Sequence, residues 1–170
     1  MVWDVRDERW RQTMRDPDTG RIIDPAGIGD GPLTEEQQVY KENIIDHYKH
    51  PRNKKHVQEA TVVRAGVNPS CGDSLQVSII VHDGVVQDFG FEGKGCAISQ
   101  AAMSMVSERI IGLPADEVMR MTREDVAAML GIPIGIVRMK CAMLGLRTTQ
   151  AAIKGMPDET SDSAYEGKVQ

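Results

Sequence analysis

Residues Leu75–Ile111 read LQVSIIVHDGVVQDFGFEGKGCAISQAAMSMVSERII, and the order of patterns inside this stretch decides the fold class. Leu75, Val77, Ile79 and Val81 alternate with other residues at the period of a half-buried strand. His82-Asp83-Gly84 is a hairpin turn, because Asp-Gly supplies the positive φ that a tight turn needs. Val85–Phe91 then reads as the return strand. After Gly95 the period changes to that of a helix, over Cys96–Ile111. Upstream, the Val-rich segment Ala60–Val67 predicts one more strand. Downstream, Pro114–Met121, Thr122–Leu130 and Val137–Ile153 predict helices, with Gly131-Ile132-Pro133 as a break. Before the strands, Thr34-Glu35-Glu36-Gln37 has the form of a capping box. Tyr40, Ile44, Ile45 and Tyr48 follow at helical spacing until His50-Pro51 ends the helix. Strands first and helices afterwards predict an α+β domain, with a small antiparallel sheet of about three strands packed against helices.

The chain of 170 residues carries 20 basic and 25 acidic residues, a net charge of −5. The middle of the chain, 34–155, is neutral, and the acidity sits at the two ends. No basic field remains for nucleic acid, and no polybasic amphipathic segment suggests a membrane surface. No stretch approaches the ~18 apolar residues of a membrane span, and the first residues lack the apolar region of a secretory signal, which points to the cytoplasm. Pro17, Gly20, Pro25, Gly27, Gly29, Gly31 and Pro32 mark residues 1–33 as an irregular arm. The domain is expected over 34–155, followed by a flexible acidic tail over 156–170.

Three cysteines are an odd number in a chain with no export signal, so a disulfide framework explains them poorly. Cys71 lies in Asn68-Pro69-Ser70-Cys71-Gly72-Asp73, a tight loop where Gly72 lets Cys71 and Asp73 converge as a thiolate–carboxylate ligand pair. Cys96 follows two glycines and opens a helix, whose free amides and dipole would lower its pKa. Cys141 lies near the start of the last helix beside Arg138 and Lys140, cations that would favour its thiolate. Three thiolates and a carboxylate make four anionic ligands, enough for a tetrahedral ion or a pair of cluster irons. CxxC pairs are absent, which excludes a zinc ribbon or a thioredoxin-like motif. On residues alone, the reading is a metal or redox site.

Four stretches together resemble the NifU-like, IscU and SufU-type iron–sulfur cluster assembly scaffolds. They are Tyr40–Asn53 with its DHYKHPRN ending, Asn68–Asp73 as NPSCGD, Gly95–Ser99 as GCAIS, and Lys140–Leu144 around the last cysteine. The resemblance spans residues 38–155 and implies a SufE/NifU-like fold. It implies a scaffold rather than an enzyme. Sulfur would arrive from a cysteine desulfurase, and a transient [2Fe-2S] cluster would be built and passed to apo-proteins. Cys71, Asp73, Cys96 and Cys141 would be the ligands, Asp73 the labile one, and Cys141 the candidate persulfide acceptor. It allows a homodimer. A zinc-dependent sulfurtransferase of SufU type, with zinc on the same four residues, is the alternative. Lys140 stands where IscU-type chains usually have His, as in SufU-type chains. The 45-residue step from Cys96 to Cys141 is closer to the IscU-type length. The histidines His47, His50 and His56 are expected to be structural or partner-facing and His82 to lie in a hairpin turn, although zinc could recruit His56.

Overall fold

The structure, a computed structural model, describes residues 34–156. The arm expected at 1–33 and the tail beyond Met156 lie outside the described residues. The chain begins with helix α1, Glu35–Lys49. Thr34 and Gln37 form the expected capping box, each side chain taking the other's backbone N–H. Three strands follow: β1 Val62–Asn68, β2 Asp73–His82 and β3 Val85–Lys94. They form one antiparallel sheet in the order β1-β2-β3. Asp83 and Gly84 both have positive φ, 50° and 72°, and join β2 to β3 in a two-residue turn. Four helices complete the domain: α2 Ala97–Ile110, α3 Ala115–Arg120, α4 Arg123–Leu130 and α5 Ile136–Lys154. The α+β architecture expected from the sequence is present.

Strands β2 and β3 bury most of one face, while β1 is largely exposed or half-buried. Leu75, Val77, Ile79 and Val81 of β2 are buried, as are Phe89 and Phe91 of β3. These residues meet Ile98, Met103, Val106 and Ile110 of α2 and Leu144 and Leu146 of α5 in one core. Gly145 lets the two central helices approach: a Cβ there would collide with the Met103 sulfur. The other side of the sheet is partly covered by the connection after α1. The Val57 N–H donates to Ser78 Oγ (2.9 Å), and Lys55 O lies against Gly90. This explains why Ser78 is buried.

The Pro51-Arg52-Asn53 segment ties three elements together. Asn53 adopts φ 59°, a left-handed conformation that Asn tolerates better than most residues. Its carbonyl accepts the Phe91 N–H of β3 (3.0 Å), and its side chain donates to Ser107 Oγ of α2 (3.0 Å). Beside it the Arg52 N–H donates to Ser104 Oγ (2.8 Å). The end of α1 is thereby held against α2. No described helix is long and apolar enough to cross a membrane.

Candidate metal-ligating site

The site forms where the β1–β2 connection meets the starts of α2 and α5. Asn68 ends β1 and pairs with Asp73, the first residue of β2. The Asn68 carbonyl accepts the Cys71 N–H (3.2 Å), closing a turn with Pro69 at its second position. Gly72 follows at φ +71°, a conformation that favours glycine. The turn exposes Cys71, while Asp73 joins the buried face of β2 with Leu75 and Val77. This residue pattern therefore folds into a hairpin that projects a thiol and a carboxylate two residues apart.

Cys71, Asp73 and Cys141 each offer a ligand atom, and these atoms all lie within 4.8 Å of one another. The sulfurs of Cys71 and Cys141 are 2.7 Å apart. All three cysteines are free thiols. Asn68 Nδ2 donates weakly to Cys141 Sγ (3.6 Å), and the Val137 carbonyl accepts from the thiol (3.7 Å). Asn68 is a site residue that the cysteine pattern alone does not announce. Its position in the same NPSCGD hexapeptide is the signal that was there to be read.

Cys96 is the N-cap of α2. Its sulfur accepts the Ser99 N–H (3.4 Å), and its own N–H donates to Asp73 Oδ1 (3.0 Å). Its backbone is thus joined to the site through Asp73, while its sulfur caps the helix and stands outside the close cluster of the other three ligand atoms. The histidines are engaged elsewhere. His47 is buried against Ser104, and His50, His56 and His82 pair with Asp46, Glu92 and Asp83.

The expected thiolate activation is not what the structure gives. Burial pushes the Cys141 thiol far above the ordinary range, and Cys71, Cys96 and Asp73 push it the same way. Cys141 lies in the second turn of α5, because the helix already opens at Ile136. Lys140 is exposed beside it, and the neighbouring cations do not outweigh desolvation. For Cys96, burial of the sulfur raises the pKa, the Ser99 N–H lowers it, and the Asp73 charge raises it again. The helix start acts as foreseen and loses to desolvation. In this form both sulfurs favour the protonated state.

Asp73 supplies a further test of what the site holds. It is 3% exposed, and Oδ2 is buried with no hydrogen-bond partner. An unpaired buried carboxylate oxygen costs roughly 1–3 kcal/mol. It is offset when a cation joins the group, and soft thiolates with one harder oxygen suit zinc or iron. The donor set and the orphaned oxygen therefore fit a metal ion shared among Cys71, Asp73 and Cys141, with Cys96 adjacent.

The chain is similar to several known proteins. The iron–sulfur cluster assembly scaffold protein IscU of Thermotoga maritima is 34% identical over 134 residues, covering 69% of this chain and 94% of its own. The zinc-dependent sulfurtransferase SufU of Bacillus subtilis is 30% identical over 132 residues, covering 68% of this chain and 89% of its own. The crystal structure of a candidate SUF-system scaffold protein from Fervidobacterium islandicum superposes with a TM-score of 0.57 at 27% identity. That match covers 69% of this chain and 98% of the other. The model of the NifU-like N terminal domain matches residues 39–162, which include every residue of the site. The chain belongs to the family of NifU-like N-terminal domains.

Proposed function

We propose that this protein is a scaffold for iron–sulfur cluster assembly, its domain spanning residues 34–155. It takes sulfur from a cysteine desulfurase, holds a transient [2Fe-2S] cluster as cargo, and passes it to apo-proteins. Cys71, Asp73, Cys96 and Cys141 are the proposed ligands. The observation that carries the reading is the convergence of Cys71, Asp73 and Cys141 around a buried carboxylate oxygen with no other partner. The IscU relative supports it.

Sulfur delivery needs one nucleophile. A thiolate of this chain attacks the outer sulfur of a persulfide on the desulfurase. The S–S bond breaks, the desulfurase cysteine leaves as a thiolate, and the acceptor carries one extra sulfur. Reduction of that sulfur to sulfide takes two electrons from an external thiol or redox protein. Cys141 is the proposed acceptor. It lies 2.7 Å from the exposed Cys71, so the solvent-facing turn and the buried acceptor are within reach of each other. Asp73 is the proposed labile ligand, since a carboxylate holds soft iron–sulfur units less firmly than a thiolate does.

The SufU relative and Lys140 favour a second reading, in which zinc occupies the same residues and the protein relays sulfur as a sulfurtransferase. Incubation with a desulfurase and cysteine tests the acceptor under both readings. Wild-type protein is expected to gain the mass of one sulfur on Cys141, and Cys141→Ser to gain none. A gain that persists in the variant on Cys71 or Cys96 contradicts the assignment. Addition of iron then separates the readings. Sulfide-to-iron absorption that transfers to an apo-ferredoxin supports the scaffold, and its absence with zinc retained supports the relay.

A further inference from the structure

At the end of α2 remote from Cys96, a groove of two adjoining cavities opens against α1, α3 and α4. Leu113, Met121 and Met129 line the larger cavity, about 530 Å³, together with Arg109 and Arg120. Asn43 of α1 and Met105 of α2 line the smaller, about 310 Å³, which shares Arg109 and Met129 with its neighbour. Leu113, Met121 and Met129 rest on the core and stay half-buried, so the floor of the groove is apolar and open. Among the described residues, Arg109 and Arg120 make no ion pair. Arg109 lies thirteen residues along the chain from Cys96, about 20 Å of helix. The groove is therefore separate from the metal-ligating site.

The same chain carries a segment that matches this groove. Its two tryptophans, Trp3 and Trp10, both precede Thr34, where the described residues begin. At the helical period of about 3.6 residues, Trp3, Trp10 and Met14 fall within about 40° of one another. At that period the two tryptophans would stand about 10 Å apart, which suits two adjoining cavities. Methionine sulfurs pack favourably on aromatic rings, and guanidinium groups stack on indole faces. Asp4, Asp7 and Glu8 accompany the tryptophans and suit the unpaired arginines. The tether favours the contact. Residues 1–33 run into α1 at Thr34, and α1 itself supplies Asn43 to the groove. Asn43 lies about 14 Å along that helix, and residues 15–33 can span up to about 60 Å. A tethered ligand acts at a local concentration near millimolar. We propose that residues 1–14 dock in this groove of their own chain, with Trp3 and Trp10 seated in the two cavities. The proposal does not depend on what the cysteines hold.

Residues 34–170 hold no tryptophan, so tryptophan emission from the full chain reads residues 3 and 10 alone. Emission maxima and acrylamide quenching would be compared for the native chain, the chain in urea, and variants. Ala128→Glu puts a charged side chain at an exposed position of α4 that lines the groove, with circular dichroism checking the fold. Arg120→Glu, at a second exposed lining position, takes its place if Ala128→Glu unfolds. Val63→Glu, at an exposed position of β1, is the control. The native chain is expected to emit to the blue of the urea form and to quench several-fold more slowly, at every protein concentration. The groove variant is expected to return both readings toward the urea values, and Val63→Glu to leave them unchanged. Native tryptophans that emit and quench as in urea overturn the proposal. Burial that the folded groove variant leaves intact overturns it too, since the segment then lies elsewhere. Burial lost on dilution, together with a dimer-to-monomer change in light scattering, overturns docking within one chain and assigns the segment to a second copy.

Discussion

Asp73 is the residue on which chemistry and fold meet. One carboxylate oxygen holds the Cys96 amide and the other has no partner in a buried site. As the hardest ligand of the proposed set it should set the release rate. Asp73→Ala is therefore expected to slow loss of a reconstituted cluster to a chelator several-fold, followed by the decay of visible absorbance under anaerobic conditions. Loss as fast as in wild type would remove that role. At this scale the sequence was informative about identity and misleading about ionisation. Cys71, Asp73 and Cys141 were marked by their local motifs, and the structure brings their ligand atoms within 4.8 Å. The pKa expectation for Cys96 and Cys141 used the helix start and the neighbouring cations, both visible in sequence. Desolvation decides the outcome, and it depends on what packs around each sulfur.

Among the elements, α1 and α2 are joined by a buried polar relay. Ser104 Oγ accepts the Arg52 N–H (2.8 Å) and is hydrogen-bonded to His47 Nδ1 (2.8 Å). His47 Nε2 lies 3.8 Å from Glu108 Oε2. Burial holds its pKa below the usual histidine value, and Arg52 adds to the shift, outweighing Glu108 and Asp46. A native pKa lowered in this way means that the unfolded state binds more protons. The stabilisation is present above the unfolded value near 6.5 and is lost as pH falls below it. The metal-free protein is expected to lose stability as pH falls below about 6.5, measured by urea unfolding, and His47→Gln should flatten that slope. An equal slope in the variant would show that other groups carry the acid sensitivity. The elements themselves were legible because their periods and caps are local. The Thr34 box, the Asp83-Gly84 turn and the break at Gly131-Ile132-Pro133 all stand where the residues placed them. The misplacements are short and have tertiary causes. Cys96 is a cap rather than the first helical residue, and β2 begins at Asp73 because Asn68 pairs with it across the turn.

At the scale of the molecule, a three-stranded sheet and two long central helices bury one apolar core. The site sits at the rim, where a hairpin and two helix starts converge. Such an arrangement fixes the ligand backbones on rigid elements, buries Cys141 and leaves two cysteines, Cys71 and Cys96, exposed. That is consistent with a site that receives and releases its cargo. The strand-then-helix order announced this architecture, because it is a matter of pattern. The residues alone suggested that 71, 73 and 141 share one site, and the family resemblance named what that site would hold. The most direct measurement of the central claim is the iron, acid-labile sulfide and zinc content of anaerobically purified, reconstituted protein, with its visible spectrum. The scaffold account predicts iron and sulfide in equal amounts, with sulfide-to-iron absorption that bleaches on chelation and is absent in Cys71→Ser. Zinc near one per chain with no sulfide uptake on reconstitution would contradict it.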